Sequence, residues 1–207
     1  MDLKKLEDFL ARENQRFTCY AAATTDVDHE KFSAQIEHQV GLSLTGDDQA
    51  VLEEQGGHMA QLVAFYTEFP SLRLYCDTNS SSSAYYLARP RKWDQLKQEF
   101  MGWVRMLHDE GSHGALPDWL ASTLVFGEIP ETSNYLLTPT EGDEAGKVFM
   151  FEHSGFNFTE QAPDFASFLE KVTTPNKGLF EEIRRYTQYS DGETATKWLV
   201  EDYAYGA

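Results

Sequence analysis

Cysteine is nearly absent from this chain: only Cys19 and Cys76 occur among its 207 residues. Two cysteines cannot build a disulfide framework, and their separation matches no metal-ligand spacing. A reducing, cytoplasmic setting is the resulting expectation. Long hydrophobic runs are missing too. No stretch approaches the roughly 20 apolar residues that a membrane span needs. The charged opening MDLKKLEDFLARENQRF lacks the apolar run and small-residue cleavage site of a signal peptide. Bases are scarce: 17 Lys and Arg stand against 34 Asp and Glu, giving a net charge of −17 and a pI near 4.6. Such a field repels nucleic acid and anionic membranes and speeds encounter with basic partners.

What is present suffices for a folded core, with 41% hydrophobic and 14% aromatic residues. The acids are not spread evenly. Between Phe126 and Glu170 stand Glu128, Glu131, Glu141, Asp143, Glu144, Glu152, Glu160, Asp164 and Glu170, with Lys147 the sole Lys or Arg. RPRKWDQLKQEF, from Arg89 to Phe100, is locally basic instead. Uniform solubilisation does not require that segregation, although solubility alone also accounts for acidic loops.

The pattern predicts an α+β fold: one domain over residues 1–207, with a central, mostly antiparallel sheet and helices packed around it. Asp2 stands as a cap before a helical stripe of Leu3, Leu6, Phe9 and Leu10. FTCYAAAT reads as a short strand. DHEKFSAQIEHQVG carries Phe32, Ile36 and Val40 at steps of four and stops at Gly41, which reads as a helix with a glycine C-cap. Another helix runs from Asp47 or Asp48 to Phe69, and Gly56-Gly57 is placed to split it. SLRLYCD and AYYLA around a serine-rich turn suggest a hairpin. The clearest amphipathic helix follows Pro90, with Trp93, Leu96, Phe100, Trp103, Val104 and Leu107 on one face. LVFGEI, NYLLTP and KVFMFEH then read as three antiparallel strands, the third central and covered on both faces. DFASFLEKV, with Phe165, Phe168 and Leu169 inward, and GLFEEIRRYTQY read as helices before the tail WLVEDYAYGA.

No catalytic or metal motif emerges. Adjacent positions on a strand point to opposite faces, so Glu152 and His153 are not expected to act on one atom. HDEGSH separates His108 from His113 by five residues, whereas a zinc-binding helix needs a spacing of four. There is no G-x-S-x-G, and TEGDEAG is acidic where a phosphate cradle would not be. The expectation is a protein that is not an enzyme, has no catalytic residue, and needs no metal or cofactor.

FGEIPETSNYLL, followed by AGKVFMFEHSGFNFTEQAPDFASFLEKV, resembles the SUKH superfamily. That group includes fungal cell-wall-assembly regulators and many bacterial immunity proteins. The similarity lies in a strand, a polar turn and a second strand. A glycine-led strand ending in acid-histidine then precedes a helix opening F-x-x-F-L. It is best over residues 116–172, while the only LP stands late, in LPDWL. The resemblance implies a SUKH-like fold and binding without catalysis. The protein would be an immunity protein neutralising a cognate bacterial toxin, a basic nuclease being the natural target for so acidic a chain. A regulatory or scaffolding module, like the fungal members, is the alternative; a small enzyme is the third class. Glu128, Glu131, Glu141, Asp143, Glu144 and Glu152 are the candidate partner-binding residues. Their turns would form a single acidic rim if they met at one end of the sheet.

Overall fold

The computed structural model describes residues 2–22, 30–55, 59–109 and 116–206, with backbone alone at 107–109. In chain order the elements begin with α1 (Leu3–Leu10), β1 (Arg16–Ala21), β2 (Lys31–Val40), α2 (Gly46–Glu54) and α3 (Ala60–Glu68). Next come β3 (Leu72–Asp77), β4 (Tyr85–Leu87), α4 (Trp93–Asp109) and a 3-10 turn at Asp118–Ser122. The rest is β5 (Thr123–Ile129), β6 (Asn134–Pro139), β7 (Val148–Glu152), β8 (Asn157–Ala162), α5 (Phe165–Thr173), α6 (Lys177–Tyr186) and β9 (Trp198–Ala204). This is the α+β class, with antiparallel strand pairing. The residues gather into two compact units.

The first unit comprises Val40–Leu72 and Tyr86–Leu169, and its strands run in the order β8-β7-β6-β5-β4. Alternation along β7 sends Phe149 and Phe151 to one face and Val148 and Met150 to the other, and all four are buried. On the first face Phe100 of α4 meets Tyr135, Phe151 and Phe158 at centroid distances of 5.8, 5.2 and 6.3 Å. On the other side of the sheet Phe126 packs against Phe165 and Phe168 of α5. Tyr66 of α3 donates its hydroxyl to the Phe126 carbonyl at 3.0 Å. Each such aromatic contributes about 1.5–3 kcal/mol through burial. β7 is therefore buried on both faces, as its uninterrupted apolar run predicts, but it lies next to the edge strand β8 and not at the centre of the sheet.

The second unit comprises Asp2–Gln39, Arg73–Tyr85 and Glu170–Ala207, with strand order β3-β2-β1-β9. Asp2 caps α1 by accepting from the Lys5 amide, and Leu6 and Phe9 are buried beneath it. Phe17 of β1 is the hub, with Tyr75, Tyr189 and Phe180 at 5.3, 5.2 and 6.0 Å. The expected hairpin closes through the Asp77 amide to the Ser82 carbonyl and the Ala84 amide to the Leu74 carbonyl.

Two expectations need correction. Residues 31–40 form the strand β2 and not a helix. Steps of four are even numbers, so Phe32 and Ile36 lie on one face of a strand as well as of a helix, and Ala34 between them is buried with Ile36. Gly41 caps nothing there; its amide donates to the Ser71 carbonyl at 2.9 Å. No strand is read from the sequence after KVFMFEH or in the tail; residues 157–162 nevertheless form β8, and the tail forms β9 paired with β1. Both strands are half-polar outer strands whose pairing partners, not their own composition, define them. The long helix expected from residue 47 to 69 is observed as α2 and α3, and its glycine pair lies outside the described residues.

Candidate functional site

The six candidate acids all belong to the first unit, but they do not share one rim. Consecutive turns of an antiparallel meander lie at opposite ends of the sheet. Glu128 and Glu131 sit at the β5–β6 turn, and Glu152 ends β7 at that same end. Glu141, Asp143 and Glu144 occupy the β6–β7 turn at the other end, roughly 20 Å away along the six residues of β6. The single acidic rim is therefore two groups of three.

At the first end Glu152 and His153 are engaged separately. The His153 ring packs edge-on against Trp103 at 4.4 Å, and its amide donates to the Asn134 side chain at 2.9 Å. The Glu152 carboxylate accepts from the Ser154 hydroxyl at 3.5 Å, and no hydrogen bond joins it to His153 among the described residues. The HDEGSH stretch falls at side chains and residues outside those described.

The second end is concave. A cavity of about 690 Å³ is lined by Asp118, Trp119 and Ser122 from the 3-10 turn, and by Glu141 to Glu144 from the β6–β7 turn. Phe149 of β7 and Glu160 of β8 complete it. Its floor is aromatic: the Trp119 indole stacks on Phe149 at 4.7 Å, with Phe158 edge-on at 5.6 Å. The walls are tied together by backbone. Thr140 donates both its amide and its hydroxyl to the Ser122 carbonyl, at 2.7 and 2.9 Å. Gly142 and Gly146 take φ of +80° and +82°, which lets residues 140–147 reverse twice within a short span. The Gly146 amide returns to the Pro139 carbonyl at 2.9 Å.

Five carboxylates surround this floor, and among the described residues Lys147 is the ammonium engaged with them. It reaches Glu144 at 2.7 Å and Glu160 at 3.3 Å. The hydrogen bonds that Lys147 donates to Glu144 and then Glu160 hold its pKa above its ordinary value. Lys147 thus neutralises part of the wall nearest the sheet. Asp118, Glu141 and Asp143 have no hydrogen-bond or ion-pair partner among the described residues, and all three are exposed. Carboxylates of this kind beside an apolar floor attract a cation and repel phosphate. No group of three or more His, Cys, Asp or Glu able to hold a metal occurs among the described residues, and none of their helices is long and apolar enough to cross a membrane.

Glu141, Asp143 and Glu144 were legible as a charged turn, but Asp118, Trp119 and Ser122 were not expected in the site. The available signal was the tryptophan beside an acid in LPDWL, a large aromatic in a segment without helical or strand periodicity. Glu160 could be placed only once β8 was known to pair with β7, which sets it opposite Phe149.

The shape of the groove depends on Gly142. An added Cβ there meets nothing within 4 Å, so an alanine substitution is opposed only by the left-handed backbone. Gly142→Ala is expected to lower stability by about 1–2 kcal/mol, measured by urea denaturation; an unchanged midpoint would contradict the turn geometry.

Comparison with known proteins returned no match: no protein-family model, no curated protein and no solved structure is similar to this chain at the level required.

Proposed function

We propose that this chain is a non-enzymatic immunity protein that binds and neutralises a basic protein toxin, a nuclease being the best-fitting class. The acidic groove carries this reading: three carboxylates without a partner among the described residues line it beside an aromatic floor, in a chain of net charge −17. A nuclease must present basic residues to hold phosphates, and an acidic groove offers the complementary surface that such a cleft would meet. The resemblance of residues 116–172 to SUKH immunity proteins supports the same reading, and a cytoplasmic location fits a protein that guards its own cell's nucleic acid.

Rim charges act mainly on the rate of encounter. Changing Glu141, Asp143 and Glu144 together to lysine is expected to slow association with the protein encoded beside this one by about tenfold or more at low salt. It should also flatten the salt dependence of that rate and weaken protection of cells against the toxin. Stopped-flow association at low and moderate salt, with folding checked by circular dichroism, decides the matter. Unchanged kinetics in the triple variant would remove the groove from the interface.

A further inference from the structure

The groove is defined by its floor as much as by its charge, and the floor limits what occupies it. Trp119 is half-buried, with Phe149 stacked on it and Phe158 against its edge, and its remaining surface lines the cavity. A volume of about 690 Å³ greatly exceeds the roughly 30 Å³ that a water occupies. The natural occupant is therefore a whole side chain or a short stretch of chain, not a lone ion.

We infer that this groove receives an arginine side chain of a basic protein partner, with the guanidinium plane lying on the Trp119 indole and its N–H fork directed to Asp118, Glu141 and Asp143. The inference rests on the reading of the partner as a basic protein and goes further by naming the group that is gripped. Lysine fits less well for two reasons. Its ammonium is a compact, strongly hydrated point charge, whereas guanidinium is planar, weakly hydrated and stacks on aromatic faces. Its three donors radiate from one atom, whereas arginine spreads five donors across a plane and can engage separate carboxylates together. The site offers an aromatic surface and three separate carboxylates with no hydrogen-bond or ion-pair partner among the described residues. Glu144 and Glu160, already held by Lys147, keep the wall in place without competing for the guest.

The test uses two blocked hexapeptides of equal charge, one of arginine and one of lysine, titrated into the full-length protein. The indole N–H resonance of Trp119, assigned through Trp119→Phe, reports contact with the floor. The expected result is tighter binding of the arginine peptide by about five- to tenfold, with a shift of the Trp119 resonance that the lysine peptide does not produce. Trp119→Leu should abolish the arginine preference and leave the lysine-peptide affinity intact. Glu141→Gln with Asp143→Asn should weaken both peptides.

Equal affinity for the two peptides, an unmoved Trp119 resonance, or an arginine preference that survives Trp119→Leu would each overturn the inference. Should Trp119→Leu not fold, the exposed Glu141→Gln and Asp143→Asn changes and the wild-type resonance still decide it. Failure here is separable from failure of the basic-partner reading. That reading falls only if charge reversal at Glu141, Asp143 and Glu144 leaves association with the partner unchanged.

Discussion

Replacing Asp48 with alanine is expected to destabilise the protein by about 3–5 kcal/mol, the usual result of removing one member of a buried ion pair. Asp48 is fully buried in the first unit, at the start of α2. Its carboxylate accepts from the Thr45 amide at 2.8 Å, the Thr45 hydroxyl at 2.6 Å and the Arg91 amide at 3.3 Å. It also pairs with the Arg89 guanidinium at 2.7 Å. Burial alone would raise its pKa, but the hydrogen bonds from Arg89, then Thr45 and Arg91, outweigh burial and hold the carboxyl well below its ordinary value. One side chain thus closes the capping box of α2 and ties it to the segment leading into α4. Without it, the Ser43 carbonyl is the one acceptor left to Arg89 among the described residues, where its Nε already lacks a partner. Asp48→Asn should fall between wild type and alanine, because shape is kept while charge is lost. Urea denaturation at neutral pH measures both changes. A loss below about 1 kcal/mol for alanine would mean that Arg89 swings to solvent and the pair contributes little.

The second large effect is a loss of stability in mild acid that originates at His38. Its Nδ1 accepts from the Tyr75 amide at 3.0 Å, so the proton sits on Nε2, which donates to the Gln15 side chain at 2.8 Å. Phe9 packs on the ring at 4.6 Å. Burial, and secondarily the Arg12 guanidinium, push the His38 pKa from 6.5 down to about 3. Below pH 6.5 the unfolded chain takes up a proton that the folded chain refuses. Stability is therefore complete above pH 6.5 and declines as pH falls toward 3. At about 1.4 kcal/mol per pH unit on the steep part, His38 should remove about 2 kcal/mol by pH 5. Tyr75, whose amide donates to the imidazole, takes φ +56° within β3. His38→Gln should lower stability at pH 7 and flatten the acid slope. The comparison to make is the stability difference between wild type and variant at pH 7 and pH 5. A difference that stays constant would exclude His38 as the source.

The groove illustrates how far residue order reveals a site. The turn glycines and carboxylates of TEGDEAG announce an exposed acidic reversal, because their chemistry is local. That the turn faces Trp119 and Glu160, and not Glu131 and Glu152, follows from alternation of turn ends in a meander and from the β7–β8 register. Neither is written in any one segment. Treating all acids of one sequence window as one surface ignores that six residues of strand carry the chain about 20 Å.

By itself the sequence determined the elements whose periodicity is unambiguous. Trp93, Leu96, Phe100 and Val104 can share a face only on a helix, and the continuous apolar run of β7 requires cover on both sides. Asp2 caps its helix by accepting from the amide three residues on, so this start is local as well. Tertiary structure decided the rest. The step-of-four pattern of Phe32 and Ile36 satisfies both periods, and pairing with β1 selects the strand. β8 and β9 carry too little hydrophobic signal to declare themselves until β7 and β1 supply hydrogen-bond partners. The aromatic floor, the carboxylates above it and the neutral His38 each depend on residues distant in the chain, since burial and register are properties of the folded assembly and not of any local stretch.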